Sequence, residues 1–305
     1  LPPRAKLRAC AQKPWSFASG SGIMTARSRR DFTSARIAGQ SSKEIAMPSE
    51  VLERTHTSLK PRVSAEEWEA RVNLAACYRL AAHYRMTDLI YTHISARVPG
   101  PEHHFLINAF GLLWDEIGAS TLVKVTLDGE IVEDPTGNGI NRAGYVIHSA
   151  VHRARKDIDC VMHTHTAAGI AVSAQEHGLL PMSQHAMRFT DSIGYHDYEG
   201  LALEMDEQAR LVNDLGEHKA MILRNHGLLT CGSSIAEAFD LMYYLERSCQ
   251  AQVAATAGGA TIRTPPHEVA QKTARQFRNL PYKTQKTEWK ALLRMLDKTD
   301  DSYTR

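Results

Sequence analysis

Two short, largely apolar runs constrain this chain more than anything else in it. Ile158-Asp-Cys-Val-Met162 leads straight into His163-Thr-His165, and Ala220-Met-Ile-Leu223 is followed by Arg224-Asn-His-Gly227. Each run is too short for a stable helix and reads as a buried strand, so both place histidines at a strand's end. Helical patterns surround them. Ser64 and Glu67 have the spacing of a capping box ahead of a helix from Ala65 to about Tyr84, in which each side chain satisfies the other's backbone N–H. Ser234 and Glu237 repeat that spacing before a long Ala-rich helix that stops at Gly258-Gly259. Ala143 to Arg155 predicts a third helix, with Val146, Ala150 and Ala154 on one face, and Thr166 to Ala174 a fourth.

Asp88 to Arg97 alternates Ile90, Thr92, Ile94 and Ala96 against Tyr91, His93, Ser95 and Arg97, a period of two that predicts a strand. Phe105–Ile107 predicts another. Val123–Leu127 and Glu130–Val132 flank Asp128-Gly129, a dipeptide suited to a tight hairpin. Strands and helices interleave without a repeat, which gives one layered α/β or α+β domain over 63–260, with extensions at 1–62 and 261–305. The second extension is rich in Pro and charge and holds one amphipathic stretch, Trp289 to Leu296. It is expected to pack on a neighbouring subunit or to stay mobile.

The net charge of +2 is unevenly placed: residues 1–43 hold nine Lys/Arg and one acid, Asp31, so the body is mildly acidic. Such a body presents no basic face for nucleic acid. The basic segment has the composition of a transit peptide but no clean helical apolar period. It reads as a disordered extension whose removal up to Met47 leaves stability unchanged. No stretch approaches the ~20 apolar residues of a membrane span. The five cysteines lack CxxC spacing and read as reduced thiols, which suits the cytoplasm, or the mitochondrion if the basic segment targets it.

Side chains at i and i+2 of a strand share a face, so His163 and His165 can approach one metal ion with Thr164 turned away. His226 closes the second apolar strand, with Gly227 expected to allow a tight turn beside it. Three imidazoles at two strand ends suit Zn²⁺, which is commonly held by three protein ligands with an open fourth position, or another divalent metal.

These residues sit within a wider pattern. The run from about Val63 to Gly259 resembles the class II aldolase/adducin family through Leu106-Ile-Asn-Ala-Phe-Gly-Leu-Leu-Trp-Asp-Glu-Ile117, Asn141-Arg-Ala-Gly-Tyr-Val-Ile-His148, His163-Thr-His165, Tyr195-His-Asp-Tyr-Glu-Gly200 and Arg224-Asn-His-Gly227. The pattern is nearest to the adducin head, in a stand-alone member. The resemblance implies a three-layer α/β/α fold with a mixed, partly antiparallel central sheet. It also implies Zn²⁺ on His163, His165 and His226, and a homotetramer.

The departures shape the expected chemistry. Sugar-phosphate aldolases of this family carry an acid/base Glu where Gly144 stands, and cradle phosphate at the places that here hold His93, Phe110-Gly111 and Arg142-Ala143. Gly144 is expected to leave room where that carboxylate would stand. The expected activity is that of a metal-dependent carbon–carbon lyase, acting by decarboxylation or retro-aldol cleavage on a small non-phosphorylated oxo- or hydroxy-acid. His148, Tyr145 or Tyr198 would serve as acid or base, with Arg142, His93 and Gly111 at the substrate. The alternative is a non-enzymatic, adducin-like protein that binds actin or spectrin. Adducins carry that binding on a long Lys-rich tail, and residues 263–305 are too few and too mixed in charge to match it.

Overall fold

The computed structural model describes residues 58–305 apart from 102, 201–205 and 281–282. The basic segment, with its targeting and truncation expectations, lies outside the described residues. Among the described residues eight strands form one sheet: β1 (His93–Arg97), β2 (Phe105–Ile107), β3 (Val123–Val125), β4 (Ile131–Glu133), β5 (Cys160–Thr164), β6 (Gly194–His196), β7 (Ala220–Leu223) and β8 (Gly227–Gly232). Their order is β4-β3-β2-β1-β5-β8-β7-β6. Every neighbouring pair is antiparallel except β6 and β7, which run parallel.

Strand alternation sorts the apolar residues into two cores. On one face Ile94, Cys160, Met162, Ile222 and Leu228 pack beneath α1 (Ala65–His83) and α6 (Ile235–Thr256), through residues such as Leu74, Tyr78, Met242 and Leu245. On the other, Val161, Met221, Leu229 and Cys231 meet α2 (Arg142–Ala154) and α5 (Glu207–Leu215), through Ile147, Val151, Leu211 and Leu215. Each fully buried Leu, Ile or Met contributes roughly 1.5–3 kcal/mol. Helices on both faces of a mixed sheet make the three-layer α/β/α fold that the resemblance implies.

Several elements differ from expectation. The strand predicted from Asp88 begins only at His93, because Leu89 and Thr92 adopt positive φ (49° and 66°) and the chain folds back in an isolated Asp88–Tyr91 bridge. β8 is an addition, four residues between two glycines that show no alternation. Gly227 does not supply the turn. Asn225 does, at φ 54°, while a side chain on Gly227 would lie 2.4 Å from the Thr164 carbonyl oxygen of β5.

The segment 261–305 packs on the chain's own body. It forms α7 (His267–Arg278) and α8 (Lys283–Thr299), and Trp289, Leu296 and Tyr303 join the first core. Trp289 Nε1 donates to Asn73 Oδ1 of α1 at 2.9 Å.

Both capping boxes are half made. Ser64 and Ser234 accept the backbone N–H of Glu67 and Glu237, but the carboxylates turn elsewhere. Glu237 accepts from Lys219 and from Ser233. Glu67 accepts from Arg71 Nε and Lys124 Nζ, each at 2.9 Å. Arg71 is fully buried, and its other nitrogens reach Glu133 Oε2 at 3.0 Å and the Leu122 carbonyl at 2.8 Å, tying α1 to the β3–β4 hairpin. Removing one partner from a buried ion pair costs about 3–5 kcal/mol. Arg71→Met is therefore expected to lower stability by that amount, read as a fall in the urea midpoint at unchanged slope.

Candidate metal centre

His163 is the penultimate residue of β5, His165 stands just past its end, and His226 lies in the link between β7 and β8. β5 and β8 are neighbours in the sheet, so antiparallel pairing brings the two strand ends together. One ligand nitrogen from each of the three histidines lies within 4.8 Å of the others. Thr164 points away, its Oγ1 donating to Met242 Sδ on the opposite face.

Two hydrogen bonds set the direction of the rings. His163 Nδ1 donates to the Leu228 carbonyl at 2.9 Å, and His165 Nδ1 faces Asp88 Oδ2 at 3.0 Å. A carbonyl or carboxylate oxygen only accepts, so each Nδ1 carries a proton, and in the neutral ring Nε2 keeps its lone pair. Those two Nε2 atoms are 2.9 Å apart. Two lone pairs facing at that distance repel unless a cation or proton lies between them, so the donor set fits a cation. Burial, then the neighbouring His226 and His165, hold His163 well below the ordinary histidine range. Burial and then His165 bring His226 down to about 4. An all-imidazole donor set suits Zn²⁺ or another divalent transition metal.

The room expected beside Gly144 is taken. A Cβ on Gly144 would lie 2.3 Å from His93 Nδ1 and 2.4 Å from His93 Cε1, so the His93 ring rests on the α2 backbone. His93 on β1 is paired in register with His163 on β5. Behind it, His148 Nδ1 and His152 Nε2 share the Ser95 hydroxyl at 2.7 and 2.8 Å, and His148 Nε2 is buried without a partner among the described residues. His148 therefore stands one layer behind the triad.

The remaining expected site residues scatter. Tyr145 is committed to packing: its hydroxyl donates to the Leu127 carbonyl at 2.9 Å, and its ring fills the space over Gly129 in the hairpin. Tyr198 is half exposed, with its ring 6.3 Å from that of His226. Arg142 is exposed at the first turn of α2, and Gly111 lies in an exposed turn at φ 89°. Asp88, Ser95 and His152 are additions to the expected set.

Fold and site together define a three-layer α/β/α protein with a candidate metal triad at the mouth of its central strands. Residues 72–253 match the Class II Aldolase and Adducin N-terminal domain. The chain belongs to the class II aldolase/adducin family. It is 51% identical over 249 residues to a Pseudomonas aeruginosa protein that bears a class 2 aldolase name with no stated substrate, covering 80% of this chain and 95% of that one. An aldolase II superfamily protein from Pseudomonas syringae superposes with a TM-score of 0.78 at 57% identity, over 82% of this chain and all of that chain. Mouse alpha-adducin is 44% identical over 241 residues, which cover 74% of this chain but only 33% of the adducin.

Proposed function

We propose that this protein is a metal-dependent carbon–carbon lyase acting on a small, non-phosphorylated oxo- or hydroxy-acid. The observation that carries the reading is the approach of two imidazole Nε2 atoms to 2.9 Å, with a nitrogen of His226 beside them. A divalent metal held by His163, His165 and His226 would polarise a carbonyl and stabilise the enolate left when the adjacent carbon bond breaks. The protein's own part is to hold the rings. The Leu228 carbonyl and Asp88 fix their tautomers and orientation. The partly exposed Tyr198 phenol beside His226 is placed to exchange a proton with a bound molecule. The exposure of Arg142 and Gly111 speaks against a preformed phosphate cradle.

Zn²⁺ is the favoured metal, with other divalent ions as alternatives, and the working form is a cytoplasmic homotetramer. Among the described residues no helix is long and apolar enough to cross a membrane. The test is to assay metal-loaded protein for CO₂ or aldehyde release from small oxo- and hydroxy-acids beside a panel of sugar phosphates. Release from the acids is expected; efficient cleavage of a sugar phosphate would refute the reading. A second reading, a non-enzymatic adducin-like role in binding cytoskeletal partners, is favoured by the likeness to alpha-adducin. No turnover combined with tight binding to actin or spectrin would establish it.

A further inference from the structure

Three imidazole nitrogens beside the triad are buried without a hydrogen-bond partner among the described residues: Nδ1 and Nε2 of His93, and Nε2 of His148. Leaving a buried polar atom unpaired costs about 1–3 kcal/mol, so a site that keeps three of them is completed only when something polar meets them. Of the two, His93 is paired directly with a member of the triad. It lies directly across from His163 in an antiparallel pair, and residues so placed project from the same face of the sheet. Its ring has no freedom to swing toward α2, since it already touches the backbone at Gly144. On the far side, His148 approaches it edge to face with ring centres 5.9 Å apart.

We infer that His93 contacts the molecule bound at the triad, recognising an uncharged hydroxyl or carbonyl oxygen of it, and that Gly144 is glycine because any side chain there would displace that ring. The inference rests on the reading of His163, His165 and His226 as a metal centre. An imidazole carries an N–H on one edge and a lone pair on the other; a hydroxyl can partner whichever nitrogen faces the bound molecule, whereas a carbonyl can partner only the N–H. A phosphate oxygen only accepts and calls for a cation. The nearby Arg224 is already committed to the Gln175 carbonyl and the face of Tyr195.

The experiment uses the full chain loaded with Co²⁺, whose visible absorption reports on its ligands, and two metal-directed probes. Acetohydroxamate presents hydroxyl and carbonyl oxygens; azide presents neither. For His93→Ala, Co²⁺ stoichiometry is expected to stay as in the wild type and azide affinity to be unchanged. Acetohydroxamate affinity is expected to fall about tenfold, the loss of one hydrogen bond of about 1.4 kcal/mol, with partial recovery in His93→Asn. Gly144→Ala should reproduce the loss, and the double variant should add nothing to it, because both changes remove one contact.

Wild-type acetohydroxamate affinity in His93→Ala, or an equal loss for both probes, would overturn the inference and leave the metal centre standing. Tighter binding of inorganic phosphate than of acetohydroxamate would overturn the assignment of an uncharged oxygen. Failure of the wild type to bind Co²⁺, or of its spectrum to answer either probe, would overturn the metal reading and this inference with it.

Discussion

Replacing His165 by Ala is expected to abolish divalent-metal binding while the protein keeps its far-ultraviolet circular dichroism and its cooperative unfolding. His165 lies beyond the end of β5 with its side chain 24% exposed, so its removal opens no void in either core. Two imidazoles remain, one short of the three protein ligands that such centres use. His163→Ala makes a poorer test, because that ring is buried and bonded to Leu228, and loss of metal would be mixed with loss of packing. Asp88→Ala is expected to weaken metal binding by about 10- to 100-fold, since the partner of a ligating histidine fixes its orientation. Metal content by mass spectrometry after dialysis reads all three. Full occupancy in His165→Ala would remove the triad from consideration.

The metal-free protein is expected to lose its stability between about pH 6 and pH 4. Burial brings His93 and His152 down to about 3 and His226 to about 4, and it holds His148 and His163 well below the ordinary range. The unfolded chain protonates these side chains near pH 6.5. Their contribution is therefore complete above that pH and drains away as the pH falls toward the folded-state values. Each group removes about 1.4 kcal/mol per pH unit in that window. His93, His152 and His226 alone, over two units, amount to roughly 8 kcal/mol, comparable with the whole stability of a typical domain, ~5–15 kcal/mol. Urea unfolding at pH 7, 6 and 5 measures the slope, and His152→Leu should flatten it by about one group's share. Equal stability at pH 7 and 5 would show that the histidines are not held neutral in the fold.

The triad is legible because its signal is local. His-x-His on a strand and a third histidine closing a second apolar run need no knowledge of distant contacts. Asp88 is hidden by the same alternation that predicts a strand back to residue 88; only the positive φ angles at Leu89 and Thr92 show that a turn brings its carboxylate onto His165. The meeting of His93 and Gly144 is equally silent, since a missing side chain gives no positive signal and the two stand 51 positions apart. Ser95 and His152 could have been found. Ser95 shares the face of His93 by strand alternation, and His148 and His152 share a helix face at i and i+4. Tyr145 shows the converse limit, because proximity in sequence to His148 says nothing of the hairpin its ring covers. Half-made capping boxes have one cause: Glu67 and Glu237 find stronger partners in cations brought from elsewhere in the chain.

The order of strands also sets an order in time. β1 to β4 lie beside their chain neighbours, and β7 and β8 form a second local pair. β5 joins these halves by long-range pairing, His93 with His163 on one side and Thr164 with Leu228 on the other. Closing longer loops costs more entropy and slows folding, so this seam is expected to close after the local pieces have formed. All three triad histidines border the seam. Metal capture by the refolding chain would therefore mark the end of folding, and a metal-sensitive dye would time the closing of the central strands while the early steps passed unseen.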